Sequence, residues 1–113
     1  MSIQNWSENV ILVNFFREPE MGEELEIITE MFRYKPDRDI VIDFSAADII
    51  TSSSLSKLLR LQKMVKDSNH NLILCGLAPF TKSIFKVTGL LDVFEFVEDK
   101  ITALAGLQPL LSP

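Results

Sequence analysis

Apolar and polar residues follow two different periods along this chain. Short apolar runs at residues 10–13, 40–44 and 72–75 predict buried strands, and the β-branched second run is typical of a central strand covered on both faces. Residues 93–97 alternate as an edge strand does, and residues 3–6 are expected to pair with the first run through a short polar turn.

Apolar residues recur at intervals of three and four in four other segments, which predicts helices at about residues 22–34, 51–67, 79–88 and 99–107. Pro36 ends the first helix, and Pro79 suits the first turn of the third. The third helix is predicted to place Ile84, Phe85 and Val87 on its inner side and to end at Gly89.

The resulting order, β-β-α-β-α-β-α-β-α, predicts an α/β fold: a mixed sheet with parallel central pairs, flanked by about four helices. A length of 113 residues with 47% apolar composition is expected to form one domain, residues 1–113, with a substantial core. Leu58, Leu59, Ile73 and Phe85 are predicted to belong to a single core.

The charge balance bears on the class of partner. Sixteen acidic against 11 basic residues give a net charge of −5, which disfavours nucleic acid and anionic membranes because both are bound through clustered Lys and Arg. Trp6 and Glu8 stand where a secretory signal would be apolar, and no run approaches the roughly 20 apolar residues of a membrane span. The sequence therefore predicts a cytoplasmic protein that binds another protein.

The residues that could support catalysis do not form a recognisable constellation. Asp43 and Asp48 lie at a strand end and in the following loop, without a histidine nearby to complete an acid–base pair. His70 is expected to be a solvated turn residue, and the single cysteine, Cys75, a small buried core residue. No glycine-rich phosphate loop is present, so we expect no enzymatic activity, no metal and no cofactor.

Four consecutive hydroxyl residues at positions 51–54 precede the second helix, and Leu55 follows them. A Thr or Ser at a helix start can accept a hydrogen bond from an unpaired backbone N–H of the first turn. The same helix end can also accommodate a phosphate, so a phosphoserine would be tolerated there while changing the surface. The segment is therefore either a phosphorylation switch or a plain cap with solvated serines.

Four blocks of the chain together resemble the STAS domain, the fold of bacterial anti-sigma-factor antagonists. They are Ile-Val-Ile-Asp-Phe-Ser at 40–45, Ile-Ile-Thr-Ser-Ser-Ser-Leu at 49–55, Leu-Ile-Leu-Cys-Gly-Leu at 72–77 and Thr-Gly-Leu-Leu-Asp-Val-Phe at 88–94. The resemblance implies a regulatory protein in which a serine before the central helix is phosphorylated by a partner kinase that is itself the anti-sigma factor.

The resemblance also assigns expected roles within the hydroxyl segment. Ser52 is the preferred phospho-acceptor and Ser53 the second candidate, because both match hydroxyl positions of the family's Asp-Ser-Ser-Gly or Asp-Ser-Thr-Gly block. Thr51 stands at the family's Asp and Ser54 at its Gly. Thr51, Ser52, Ser53, Ser54 and Leu55 are expected to bind the partner together with the exposed face of the following helix.

A second departure lies before the first helix, where Arg-Glu-Pro-Glu at 17–20 replaces the Gly-x-Leu-Asp-like turn usual in the family. Two alternatives to the switch remain open. One is a STAS module that is never phosphorylated and acts as a scaffold in a signalling or transport-associated assembly. The other is a subunit that handles a small molecule or lipid.

Overall fold

The computed structural model describes residues 3–15, 18, 20–47 and 49–107. Within them the strands are β1 (Ile3–Ser7), β2 (Val10–Asn14), β3 (Asp39–Asp43), β4 (Leu72–Cys75) and β5 (Glu95–Val97). The helices are α1 (Glu20–Tyr34), α2 (Ser52–Asp67), α3 (Pro79–Val87) and α4 (Lys100–Leu107).

The five strands form one mixed sheet in the order β1-β2-β3-β4-β5. β1 is antiparallel to β2, and the three other pairings are parallel, which confirms the predicted topology. The parallel connections all step across the sheet in the same direction. Because such crossovers are right-handed, α1, α2 and α3 share one face of the sheet and begin at the same edge.

The face under these three helices carries the larger apolar cluster. Its buried members include Ile11, Val13, Ile40, Ile42, Leu74, Leu25, Ile28, Leu58, Leu61 and Phe85. A smaller cluster lies on the opposite face, where α4 contributes Ala103 and Leu104.

The prediction of a single core containing Ile73 is wrong. Ile73 belongs to the cluster under α4, because successive strand residues point to opposite faces and its neighbours Leu72 and Leu74 face the three helices. Leu58 and Phe85 are fully buried in the main cluster as predicted, whereas Leu59 is only partly buried at its margin.

The predicted inner face of α3 also needs correction at Val87, whose exposed fraction is 85%. Phe85 is fully buried. Residues two apart on a helix do not share a face, so an inward Phe85 turns Val87 outward. Gly89 has a positive φ of 75° and ends α3 as expected, since its N–H donates to the carbonyl of Lys86.

His70 is not the solvated turn residue that the sequence predicted. It is partly buried, and its Nδ1 lies 3.1 Å from Oδ1 of Asp39 at the start of β3. The same carboxylate oxygen accepts the backbone N–H of Asn71 at 2.8 Å. His70 thus helps to join the loop before β4 to β3, at the end of the sheet opposite the start of α2.

Candidate functional site

The start of α2 lies at the carboxyl edge of the parallel strands, where the chain leaves β3. Thr51 is the N-cap residue, with φ −81° and ψ 161°, and its Oγ1 accepts the backbone N–H of Ser54 at 3.1 Å. One unpaired N–H of the first turn is therefore satisfied by a side chain, as the sequence predicted.

The five predicted site residues divide between surface and interior. Thr51, Ser52 and Ser53 are exposed, whereas the exposed fraction is 2% for Ser54 and 8% for Leu55. Leu55 packs in the main core cluster. A partner approaching this edge would therefore meet the first three residues, with the last two beneath them.

A carboxylate from a distant part of the chain also lies at this cap. Glu18, between β2 and α1, accepts the Thr51 backbone N–H and the Thr51 hydroxyl through Oε2, at 2.8 Å each. Its other oxygen, Oε1, accepts the Ser54 hydroxyl at 2.9 Å. The Ser54 side chain is thus buried with its hydrogen bond satisfied.

Glu18 is also influenced by the start of α1, because the backbone N–H of Gly22 helps to lower the pKa of the Glu18 carboxyl. The two helices approach closely here: a Cβ placed on Gly22 would lie 3.3 Å from Oγ of Ser54. One anionic side chain therefore lies at the positive ends of two neighbouring helices.

The hydrogen bonds change the acidity of Glu18. Burial by itself raises the pKa of the Glu18 carboxyl, but the Ser54 hydroxyl and the Thr51 N–H and hydroxyl, with a further contribution from the Gly22 N–H, outweigh it. The pKa therefore lies below its usual value. The carboxylate is negatively charged at neutral pH, and we call this network of Glu18, Thr51, Ser54 and Gly22 the Glu18 clamp.

A family model described as the STAS domain matches residues 5–103. This range includes the cap of α2 and the whole sheet except the first residues of β1. The chain belongs to the STAS domain family. A curated relative, "Putative anti-sigma factor antagonist BtrV" of Bordetella bronchiseptica, is 29% identical over 90 residues, which are 80% of this chain and 78% of the relative.

Solved STAS structures share the fold. An anti-sigma-factor antagonist (STAS) domain protein of Planctomyces limnophilus has a TM-score of 0.80 at 21% identity. The match spans 94% of this chain and 97% of that protein's chain. The Bacillus protein SpoIIAA was solved in both phosphorylation states. Its unphosphorylated form has a TM-score of 0.77 at 13% identity over 96% of this chain and 98% of its own. Its phosphorylated form has a TM-score of 0.74 at 13% identity over 95% and 98%.

The part that Glu18 plays in this STAS domain was missed in the sequence, where residues 17–20 stood out only as a departure from the family. Its partners lie 33 and 36 residues away, so no local pattern reports them. The available signal was topological. Segments after parallel strands meet at one sheet edge, which brings an acidic residue after β2 close to hydroxyls after β3.

Asp43 and Cys75, two of the residues considered for catalysis, are both buried. Asp43 is buried and its Oδ1 accepts the backbone N–H of Ser45 at 3.0 Å, while Asp48 lies outside the described residues. Cys75 is fully buried, as predicted, and burial together with the nearby negative charges of Asp43 and Asp99 raises the pKa of its thiol to about 12.

Among the residues that the structure describes, no group of three or more His, Cys, Asp or Glu side chains could hold a metal ion. No helix in the same ranges has both the length and the apolar character needed to cross a membrane.

Proposed function

We propose that this STAS domain is an anti-sigma-factor antagonist whose binding to a kinase or anti-sigma factor is switched by phosphorylation of Ser52, with Ser53 as the second acceptor. The observation that carries the proposal is the exposure of both serines in the first turn of α2. Among the described residues, neither hydroxyl has a hydrogen-bond partner. A kinase would not need to break a side-chain contact with these residues to reach either oxygen.

The names of the relatives support the regulatory class. BtrV and the Planctomyces protein are both named as anti-sigma-factor antagonists, and SpoIIAA was solved with and without phosphate. The two SpoIIAA forms resemble this chain about equally, with TM-scores of 0.74 and 0.77. A STAS fold thus persists through phosphorylation in that protein, as expected if a helix N-terminus carries the added charge.

The proposed docking surface begins at Thr51, Ser52 and Ser53 and continues along the outward face of α2. Ser52, Ser56, Arg60 and Lys63 are exposed at spacings of four, four and three residues, which places them on one stripe. Ser54 and Leu55 act from beneath, by fixing the cap to Glu18 and to the core. A partner on this stripe would contact the hydroxyls at one end and two cations at the other.

Phosphate on Ser52 would act on docking more than on folding. It would add about −1.5 to −2 charges at neutral pH to a chain whose net charge is −5. The dipole of α2 favours an anion at this end by roughly 0.3–1 kcal/mol. A partner packed over the cap would instead have to desolvate an unpaired charge, which costs several kcal/mol. In this proposal the chain is the substrate of a kinase and has no catalytic activity of its own.

The test is purification from the native host, followed by mass spectrometry of the chain and of the proteins that accompany it. We expect phosphate on Ser52, lost in Ser52→Ala, and a co-purified kinase or anti-sigma factor. Phosphate found on Ser53 and not on Ser52 in the wild-type protein would change the acceptor but keep the switch. An unphosphorylated chain in a stable assembly would favour the scaffold. A bound lipid or metabolite would favour a subunit that handles a small molecule or lipid.

A further inference from the structure

The Glu18 clamp places a negative charge where the proposed switch would add another. Glu18 contacts both the N–H and the hydroxyl of Thr51, the residue immediately before Ser52. Consecutive Cα atoms are about 3.8 Å apart, so a phosphate on Ser52 or Ser53 would lie well inside the roughly 10 Å screening length of 0.1 M salt. The two anions would therefore repel each other.

The position of the clamp makes this repulsion structurally consequential. Glu18 is only partly buried and precedes α1, while its partners Thr51 and Ser54 belong to the start of α2. The carboxylate is consequently a polar connection between two segments that are far apart in sequence. The phosphoserine is bonded covalently to the first turn of α2, whereas the Glu18 side chain is held at that cap by hydrogen bonds alone.

We propose that the Glu18 clamp is a latch that opens when the cap of α2 is phosphorylated. Phosphate on Ser52 or Ser53 displaces the Glu18 carboxylate from Thr51, Ser54 and the Gly22 N–H. The charge change at α2 is thereby transmitted to the segment that precedes α1. The identity of the modified serines rests on the proposed function, but the latch itself follows from the contacts of Glu18.

The latch enlarges the surface that a partner can distinguish. In the closed state Glu18 is held against the cap by the hydroxyls of Thr51 and Ser54 and by the backbone N–H of Thr51. In the open state its charge moves outward, away from the phosphate. A partner that packs over both the cap and the approach to α1 would then be opposed by two displaced or added anionic groups rather than one.

The test places phosphoserine at position 52, and separately at 53, during translation, and follows the protein alone by NMR. The amide of Gly22 lies on α1 and reports the clamp without being next to the modified residue in sequence. We expect its resonance to move, on phosphorylation at either position, towards the place it has in unphosphorylated Glu18→Ala, which has no side-chain acceptor for the Thr51 and Ser54 donors. The Glu18 carboxyl carbon should then titrate at a higher pH than in unmodified protein.

Thermal melting supplies a second measurement through a double-mutant cycle. Phosphoserine at position 52 should lower the melting temperature more in wild type than in Glu18→Gln, because only the wild type brings two anions together. The matched control is phosphoserine at Ser83, an exposed residue of α3, whose effect should be the same in both backgrounds. Equal effects of position 52 in both backgrounds, or a Gly22 resonance unmoved by phosphate at 52 and 53, would overturn the latch.

The two proposals can fail separately. The latch experiments need neither the kinase nor the partner, since the phosphate is already present. Absence of phosphate in host-purified protein would contradict the proposed switch and leave the NMR result unaffected. Phosphate on the native chain with an unmoved Gly22 resonance would contradict the latch alone.

Discussion

α2 and α3 begin at the same edge of the sheet but are capped differently. At α2, Thr51 supplies a side-chain acceptor and Glu18 adds a carboxylate from another segment. At α3, the N-cap is Ala78, which makes no side-chain cap hydrogen bond, and Pro79 at the first helical position needs no acceptor for an N–H. Neither helix has an acidic residue in its own first turn.

This difference separates what a helix start needs for folding from what α2 has in addition. α3 shows that a helix can begin at this edge with a proline and no capping side chain. α2 instead begins with several hydroxyl residues, and the buried Ser54 hydroxyl among them donates to the Glu18 carboxylate while Ser52 and Ser53 remain exposed. We infer that the extra polar groups at α2 serve regulation as well as stability.

The largest expected effect on stability comes from truncating side chains in the core cluster that α2 and α3 share. Leu58 of α2 and Phe85 of α3 are fully buried in the same cluster. Leu58→Ala should lower the free energy of unfolding by about 2–5 kcal/mol and Phe85→Ala by about 3–5 kcal/mol. Phe85 also loses edge-to-face contacts with Phe94 and Phe96, at centroid distances of 5.5 and 5.3 Å. Urea denaturation measures both losses, and a negligible loss at either residue would show that its helix does not depend on this core.

Cap substitutions should act in opposite directions at the two helices. Thr51→Ala removes the N-cap acceptor and one donor to Glu18, and we expect a loss of about 1 kcal/mol. Ala78→Ser adds a potential cap at an exposed position of α3 and should gain up to about 1 kcal/mol. Thermal melting of both variants checks this pair. A stabilising Thr51→Ala would contradict the cap geometry described for α2.

Acid should weaken α2's cap through Glu18. Since the folded pKa of Glu18 is lower than the ordinary value of 4.5, the clamp's stabilising contribution is fully present above about pH 4.5. It is lost as the pH falls through the lowered folded pKa. Wild type should therefore melt above Glu18→Gln at pH 7, and the gap should narrow below pH 4.5. A gap that stays constant down to pH 3 would mean that the clamp does not depend on the charge.

The smallest expected effect concerns Cys75, the last residue of β4 on the approach to α3. Its thiol is fully buried, donates to the Ile42 carbonyl at 3.5 Å and has a pKa raised to about 12. We expect almost no reaction with a thiol reagent at pH 8 in native protein and full reaction after denaturation. Rapid native labelling would show that this edge opens near α3, which the comparison does not predict.

The sequence predicted those features that depend on local periodicity. Strand and helix order, the mixed sheet and the Thr51 cap all follow from residues near one another in the chain. Features set by the third dimension were missed: Glu18 reaches across 33 residues to Thr51, and Ile73 faces α4 because its strand alternates. Val87 was predicted to face the core together with Phe85, but residues two apart on a helix point in different directions, and Val87 is exposed.

Thr51 stands where the family's motif has Asp, so Thr51→Asp would supply the carboxylate that the motif places before Ser52. The structure already has a carboxylate there, since Oε2 of Glu18 lies 2.8 Å from Oγ1 of Thr51. Thr51→Asp alone would therefore place two carboxylates in contact, and only its combination with Glu18→Gln leaves a single anion at the cap.

The most direct test of the regulatory account is titration calorimetry of the co-purified partner with Ser52→Ala and Ser52→Asp. We predict that Ser52→Ala binds like wild type and that Ser52→Asp binds at least a hundredfold more weakly, since about 3 kcal/mol corresponds to more than two orders of magnitude in affinity. Ser83→Asp, which adds the same charge on α3, should bind like wild type. Equal affinities of Ser52→Asp and Ser52→Ala would contradict a charge switch at the start of α2.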